Sequence, residues 1–352
     1  MAPDLAGRFR EFAATYAHLP LYSRISGAAA EDPAVWGLLT AARPGQERPV
    51  LLLAALHDLV LRSPSVPAAR WFAAAPDLDG DPWPDVRVTL LAHAPELRAI
   101  VAARSTQTNE VNRVVYLAAL LVAATADVGP VPVALVEQGA SAGLLLGLDR
   151  YRIEVGDVVL GDPASPVRCS GALEPGSAVL PASSSLPPIA SRVGIDLAPV
   201  ALSDAEEVRW LEACLWPDQP ERLARFRAAV ALLRPDPPPL VAGDMVDDLA
   251  AVAGATAPDT HLVVTSSWAL TYVRRDRRPL VPAALAALAT SGRPVSWLTA
   301  EPPARPAERA PGGETVLTLH RWRAARPLPP VVVGHAHPHA PWLHLTPLQP
   351  WT

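Results

Sequence analysis

The stretch Val131–Leu148, VPVALVEQGASAGLLLGL, decides the fold. An apolar β-type run ends in Glu137, passes through Gly139, Ser141 and Gly143, and turns directly into a helical pattern. Strand, tight turn and helix in direct succession is the geometry of nucleotide and nucleophile sites. Glycine at the first and last turn positions removes the Cβ penalty for unusual backbone angles and lets a ligand approach the main chain. Downstream, short apolar strands alternate with helices at Val133–Val136, Ala190–Ile195, Leu240–Ala242, His261–Thr265, Pro294–Thr299, Thr315–Leu319 and Val331–Gly334. This alternation predicts an α/β fold, a Rossmann-like doubly wound sheet with ligands at the carboxyl ends of its strands. The final pair is expected to close the sheet as an antiparallel hairpin.

Upstream, from Leu5 to about Asp127, apolar residues recur at three- and four-residue spacing, as in LAGRFREFAATYAHL and NRVVYLAALLVAA. We therefore expect a helical region over residues 1–128, a lid or substrate-binding part, followed by an α/β domain over 129–352. Pro76–Pro84 reads as a surface loop within the helical part. Two insertions interrupt the α/β domain. Residues 151–191 open with a hairpin pattern, RYRIEVGDVVLGDP, followed by a Ser/Pro-rich loop, and residues 203–234 are helical.

Composition excludes several chemistries. All 30 basic residues are arginine, so a lysine Schiff base, the usual pyridoxal-phosphate site and a Walker-type phosphate lysine are ruled out. A net charge of −5 argues against a large basic surface for nucleic acid. Cys169 and Cys214 match neither a disulfide framework nor a zinc pattern, which suits a reducing cytoplasm. The N-terminus lacks a hydrophobic signal core, and the apolar run Val114–Ala126 is too short to span a bilayer. The expected protein is cytoplasmic, acts on a small molecule, and binds neither nucleic acid nor membrane.

Two chemistries compete for the glycine turn. Read from Glu137, acid-x-Gly-x-Ser-x-Gly resembles the first motif of S-adenosylmethionine-dependent methyltransferases. Such a sheet carries an acid after its second strand for ribose hydroxyls and a polar residue after its third near the adenine. Asp196 and Asp244 each follow a β-type run in the right order, and Ser267 and Trp268 open the next strand end, where substrate is expected. Read from Gly139, Gly-x-Ser-x-Gly is a hydrolase nucleophile elbow with Ser141 attacking, and Asp244 with His335, His337 or His339 would complete the order Ser, Asp, His. That elbow normally follows several strands and a glycine-rich oxyanion loop, whereas here a helical region precedes it. The methyltransferase reading leads, ahead of a serine hydrolase, a dinucleotide oxidoreductase, or a non-catalytic metabolite-binding protein of the same fold.

Gln107, Asn109, Glu110 and Arg113 form a polar cluster before the apolar helix. Thr108 or Asn109 is expected to cap that helix. In the functional reading, Arg113 joins Glu137, Gly139, Ser141, Gly143, Asp196 and Asp244 around the cofactor by binding its methionine carboxylate. Gln107 and Asn109 would then contact substrate with Ser267 and Trp268, and Glu110 or His337 would act as base. His335, His337 and His339 alternate, but Pro338 interrupts them and no carboxylate or cysteine lies close in sequence, so no metal site is expected.

Six blocks then resemble a known family: QTNEVNR (107–113), LVEQGASAGLLLGLDRYR (135–152), GIDLAP (194–199), RWLEACLWPDQPERLARF (209–226), GDMVDDL (243–249) and AHPHAPWLHL (336–345). Together they are similar to the bacterial family called domain of unknown function 2332, across nearly the whole chain. The resemblance implies membership and no particular activity; the methyltransferase-like expectation rests on the motifs above.

Overall fold

The computed structural model describes residues 4–75, 78–126, 128–129, 131–289, 292–303, 314–323 and 326–347. Of the segments singled out from sequence, Pro76, Asp77, Asp127 and Pro130 lie outside the described residues. The chain divides into two compact units, residues 1–109 with 203–227 and residues 110–202 with 228–352. The expected division after residue 128 thus differs from the observed one by the whole apolar helix, which belongs with the sheet.

The first unit is helical: α1 (Leu5–Thr15), α2 (Pro20–Ala30), α3 (Pro33–Trp36), α4 (Pro49–Arg62), α5 (Ala69–Ala74), α6 (Trp83–Ala92) and α7 (Ala94–Ala103). Helices α2, α3 and α4 each begin on proline, whose fixed φ and missing N–H suit a first helical turn. The inserted segment joins this unit because α9 (Ala205–Ala213) packs against α4 and has Trp210 and Ala213 in the same core as Phe9, Leu21, Leu53 and Leu56. Polar pins reinforce the apolar contact. Asp218 accepts the Leu21 and Tyr22 amides at 2.7 and 3.2 Å, and Asp58 pairs with both Arg62 and Arg209 at 2.9 Å.

The second unit holds α8 (Val114–Thr125), β1 (Val133–Gln138), β2 (Arg152–Val155), β3 (Val158–Gly161), β4 (Arg168–Leu173) and β5 (Ile189–Asp196). After α10 (Pro220–Leu233) come β6 (Leu240–Ala242), α11 (Leu249–Gly254), β7 (His261–Ser267), α12 (Leu280–Leu288), β8 (Val295–Glu301), β9 (Thr315–Arg323), β10 (Arg326–Ala336) and β11 (Trp342–Leu345). One mostly parallel sheet of eleven strands results, ordered β3-β2-β4-β11-β10-β9-β8-β7-β1-β5-β6. Its five-strand centre, β6-β5-β1-β7-β8, is entirely parallel, and the direction of winding reverses between β1 and β7. Strands β9 and β10 add an antiparallel hairpin to β8, as the last two β-type runs predict.

Helix α8 is apolar on every side, a pattern that requires a buried helix, and it packs on β2, β8 and β9. Helices α11 and α12 share a second apolar core with Val136, Leu262, Val264, Val295 and Trp297. Among the described residues no helix is long and apolar enough to cross a membrane.

Two local expectations fail. The pattern after Gly143 forms a seven-residue 3-10 segment, Leu144–Arg150, where an α-helix is predicted. The chain must enter β2 at Arg152, and the Tyr151 hydroxyl already donates to the Leu144 carbonyl at 2.6 Å, fixing a tighter winding. Strand β4 lies in the Ser/Pro-rich stretch read as a loop and pairs with β2 and β11.

Candidate functional site

The strand order reverses between β1 and β7, and the carboxyl edge at such a reversal is where doubly wound sheets bind ligands. Strand β1 enters it with Glu137 and Gln138. Gln138 accepts from Trp297 Nε1 at 2.9 Å and donates to the Met245 carbonyl at 2.8 Å, so the strand end is fixed laterally. The turn then closes on β5: the Gly139 and Ala140 amides donate to the Ile195 carbonyl, the Ser141 amide to Asp196 Oδ2 at 2.8 Å, and the Gly143 amide to the Ala140 carbonyl. These N–H groups serve the protein's own fold, so the turn is not a backbone cradle for phosphate.

The glycines have the same internal purpose. Gly139 has φ 69°, and a Cβ there would lie 2.7 Å from Ala269 Cβ; at Gly143, also φ 69°, it would lie 2.9 Å from Pro238 Cγ. Close packing of chain on chain, not the approach of a ligand, accounts for both.

Glu137 is different. It is 5% exposed, and its Oε2 is enclosed with no hydrogen-bond partner. Burial, and then the charge of Asp196, push its carboxyl well above the usual range, while Arg113 pulls the other way. An enclosed carboxylate oxygen without a donor is costly unless something completes it.

The other expected cofactor residues are more fully engaged. Asp196 accepts the Ser141 and Ala198 amides, one on each oxygen, and so holds the turn itself. Asp244 accepts from the Val246 and Asp247 amides and from Arg277 at 3.1 and 3.2 Å. Burial opposes ionisation of Asp244, but these bonds outweigh it and hold its carboxyl below the usual range.

Ser267 and Trp268 stand at the end of β7. Ser267 Oγ shares a 2.7 Å hydrogen bond with the Tyr116 hydroxyl, whose pKa burial pushes up to about 12. Trp268 adopts φ 58° and donates through Nε1 to Thr315 Oγ1 at 2.9 Å. The non-glycine residues with positive φ among those described are Ser141, Trp268 and Ala340. They occupy the turn after β1, the end of β7 and the β10–β11 loop, and such strain is characteristic of functional loops.

The polar cluster is divided by the unit boundary. Gln107 and Asn109 end the first unit, whereas Glu110 and Arg113 begin the second. The cap is neither Thr108 nor Asn109: Glu110 Oε1 accepts the Asn112 amide at 3.0 Å, starting a 3-10 turn over Val111–Arg113. The following residues clamp a segment far along the chain. Asn112 Nδ2 donates to the carbonyls of Ser170, His339 and Ala340, its Oδ1 accepts the Ser170 amide, and Arg113 donates to the carbonyls of Pro338 and Ser267. Glu110 Oε2 lies 3.2 Å from His339 Nδ1, and the His339 amide donates to His337 Nδ1 at 3.0 Å. Two sequence blocks more than 220 residues apart therefore form one locked structure beside the end of β7.

The aspartate expected for the hydrolase order is engaged by an arginine. Asp244 pairs with Arg277, and the carboxylate on His339 is Glu110. His335 faces Glu314 at 3.8 Å. Among the described residues no group of three His, Cys, Asp or Glu is placed to hold a metal ion. Sequence reasoning missed Asn112, Tyr116 and Glu301. Glu301 accepts from Ser266 Oγ and the Ala269 and Leu270 amides, capping the 3-10 turn after β7; its only sequence signal is an acid ending an apolar strand, the signal that found Glu137.

No curated protein matches the chain. Residues 6–344 match the family model described as "Uncharacterized protein conserved in bacteria (DUF2332)". With nearly the whole chain covered, from α1 to β11, the protein belongs to this bacterial family.

Proposed function

We propose that the second unit is an S-adenosylmethionine-dependent methyltransferase acting on a small molecule. The observation that carries this reading is Glu137, whose enclosed Oε2 has no hydrogen-bond partner, at the strand-order reversal. An ammonium or hydroxyl group of a bound nucleoside-amino acid would complete it. The cofactor, when bound, would supply an electrophilic methyl group. Asp196 would hold the turn in place and offer its remaining lone pairs to ribose hydroxyls, and Arg113 would add positive charge for a carboxylate. Asp244 would act on the adenine side through the turn it caps. The engagement of Asp244 by Arg277 favours this reading over a serine hydrolase, because a triad would need that carboxylate on a histidine.

Calorimetry with S-adenosylmethionine and S-adenosylhomocysteine tests it. Micromolar binding by the intact chain is expected, weakened at least tenfold in Glu137→Gln and in Asp196→Ala. Failure of both compounds to bind would sink the reading, and labelling of Ser141 by a fluorophosphonate would replace it with the hydrolase.

A further inference from the structure

We propose that the second unit stores one proton at the carboxyl edge of its sheet: Glu137 holds it in the ligand-free protein, Glu301 carries the negative charge that balances Arg113, and a cationic group docking on Glu137 expels it. The docking rests on the function proposed above; the placement of the proton does not. The two acids stand at the ends of β1 and β8, the strands on either side of β7, and each has an enclosed Oε2 without a hydrogen-bond partner. The charge of Arg113 reaches both. Among the described residues its guanidinium nevertheless forms no ion pair and donates to the carbonyls of Pro338 and Ser267. One buried cation calls for one anion, so the two acids compete for ionisation and their hydrogen bonds decide.

Glu301 is furnished for charge. Its Oε1 accepts from Ser266 Oγ at 2.7 Å and from the Ala269 and Leu270 amides at 3.1 Å, three donors that favour a carboxylate. Burial raises its carboxyl, and these donors together with Arg113 pull it back. Beyond Arg113, the ionisable group in its field is Tyr116, a phenol that burial keeps neutral. Glu137 has no comparable set: among the described residues no amide or side chain donates to it. The ionisable groups that act on it are Asp196 on β5, Arg113 before α8 and Tyr151 after the 3-10 segment. Asp196 repels a second negative charge, and burial keeps the Tyr151 phenol neutral. When a ligand ammonium arrives, the O–H bond of Glu137 breaks, its electron pair stays on the carboxylate, the proton passes to water, and the carboxylate accepts an N–H of the ligand. One positive charge enters as another leaves, so the buried acid is never an unpaired anion.

Infrared difference spectra of the intact chain without ligand test the placement, because the carbonyl stretch of a protonated carboxyl stands apart from the carboxylate bands. At neutral pH the difference between wild type and Glu137→Gln should contain one such stretch, belonging to Glu137. In Glu301→Gln, which removes the balancing anion, the same stretch should persist in acid and titrate away about one pH unit lower than in wild type. No protonated-carboxyl stretch lost in Glu137→Gln, or a titration that Glu301→Gln leaves unchanged, would overturn the assignment; a stretch missing from Glu301→Gln at every pH would give the proton to Glu301 instead. Should Glu137→Gln not fold, Glu137→Met, uncharged and similar in volume, takes its place. Calorimetry with S-adenosylmethionine at about pH 6, where its ammonium is already charged, then tests the exchange. In buffers of different ionisation enthalpy we expect about one proton released per ligand bound, and binding without release would overturn the coupling. If the nucleoside does not bind, the function proposed above fails while the spectra still decide where the proton sits.

Discussion

The turn after β1 and the loop between β10 and β11 are each held by polar side chains from elsewhere in the chain, Asp196 in the first and Asn112 with Arg113 in the second. Each also contains a non-glycine residue forced to positive φ, Ser141 at 51° and Ala340 at 57°. They differ in what is left over. The turn uses its amides on β5 and exposes little chemistry of its own, leaving Glu137 as the unsatisfied group beneath it. The loop has its carbonyls tied down and sets its imidazoles against different partners, His339 against Glu110 and His337 against the His339 amide. One region carries the enclosed carboxyl on which the proposed function rests and the other a histidine–glutamate contact, and substitutions should separate the two.

The largest effect is expected at Asn112. Asn112→Ala strips hydrogen bonds from three carbonyls and one amide in a mostly buried setting, costing about 3–5 kcal/mol in chemical denaturation. A cost below 1 kcal/mol would mean the loop is held by packing instead. Gly139→Ala comes next, at about 2–3 kcal/mol, because it combines positive φ with a Cβ pressed on Ala269. Asp196→Ala removes two caps from the turn and should cost about 1–2 kcal/mol.

The smallest effect has the opposite sign. Because the Glu137 carboxyl is raised, the folded state binds its proton more tightly than the unfolded chain does. Its favourable contribution is complete below the ordinary value of 4.5 and is lost as pH rises toward the native value. Glu137→Gln should therefore stabilise the protein at pH 8 by about 1 kcal/mol, raising Tm by about 2–4 °C. Equal melting of the two proteins from pH 5 to pH 8 would show that the carboxylate is not strained by burial.

The parts legible in the sequence were those set by short-range pattern. Apolar runs bounded by glycine, proline or aspartate marked β1 and β5 to β10 within a few residues; for β1, β7 and β8 the reason is burial on both faces, which a strand can meet only with a continuous apolar run. Acids ending such runs located Glu137 and Asp196. What was not legible depended on distant partners. LLLGL reads as a helix until Tyr151 and the start of β2 shorten it, and β4 exists because β11 arrives to pair with it. Asn112 looked like one more polar residue before a helix, since its partners lie at Ser170, His339 and Ala340.

The junction of β4 with β11 has a consequence for biosynthesis. Two register pairs, Ala172 with Trp342 and Leu173 with Leu343, join the β2–β4 group to the rest of the sheet. About 170 residues separate these partners in the chain. At ribosomal elongation rates, β4 waits roughly 10–30 s with an unpaired edge before its neighbour is made. During that interval the nascent chain exposes backbone donors and acceptors of the kind that recruit chaperones or stray strands. The same late arrival delivers His339 to Glu110, so the turn after β1 can form on the ribosome well before the β10–β11 loop exists.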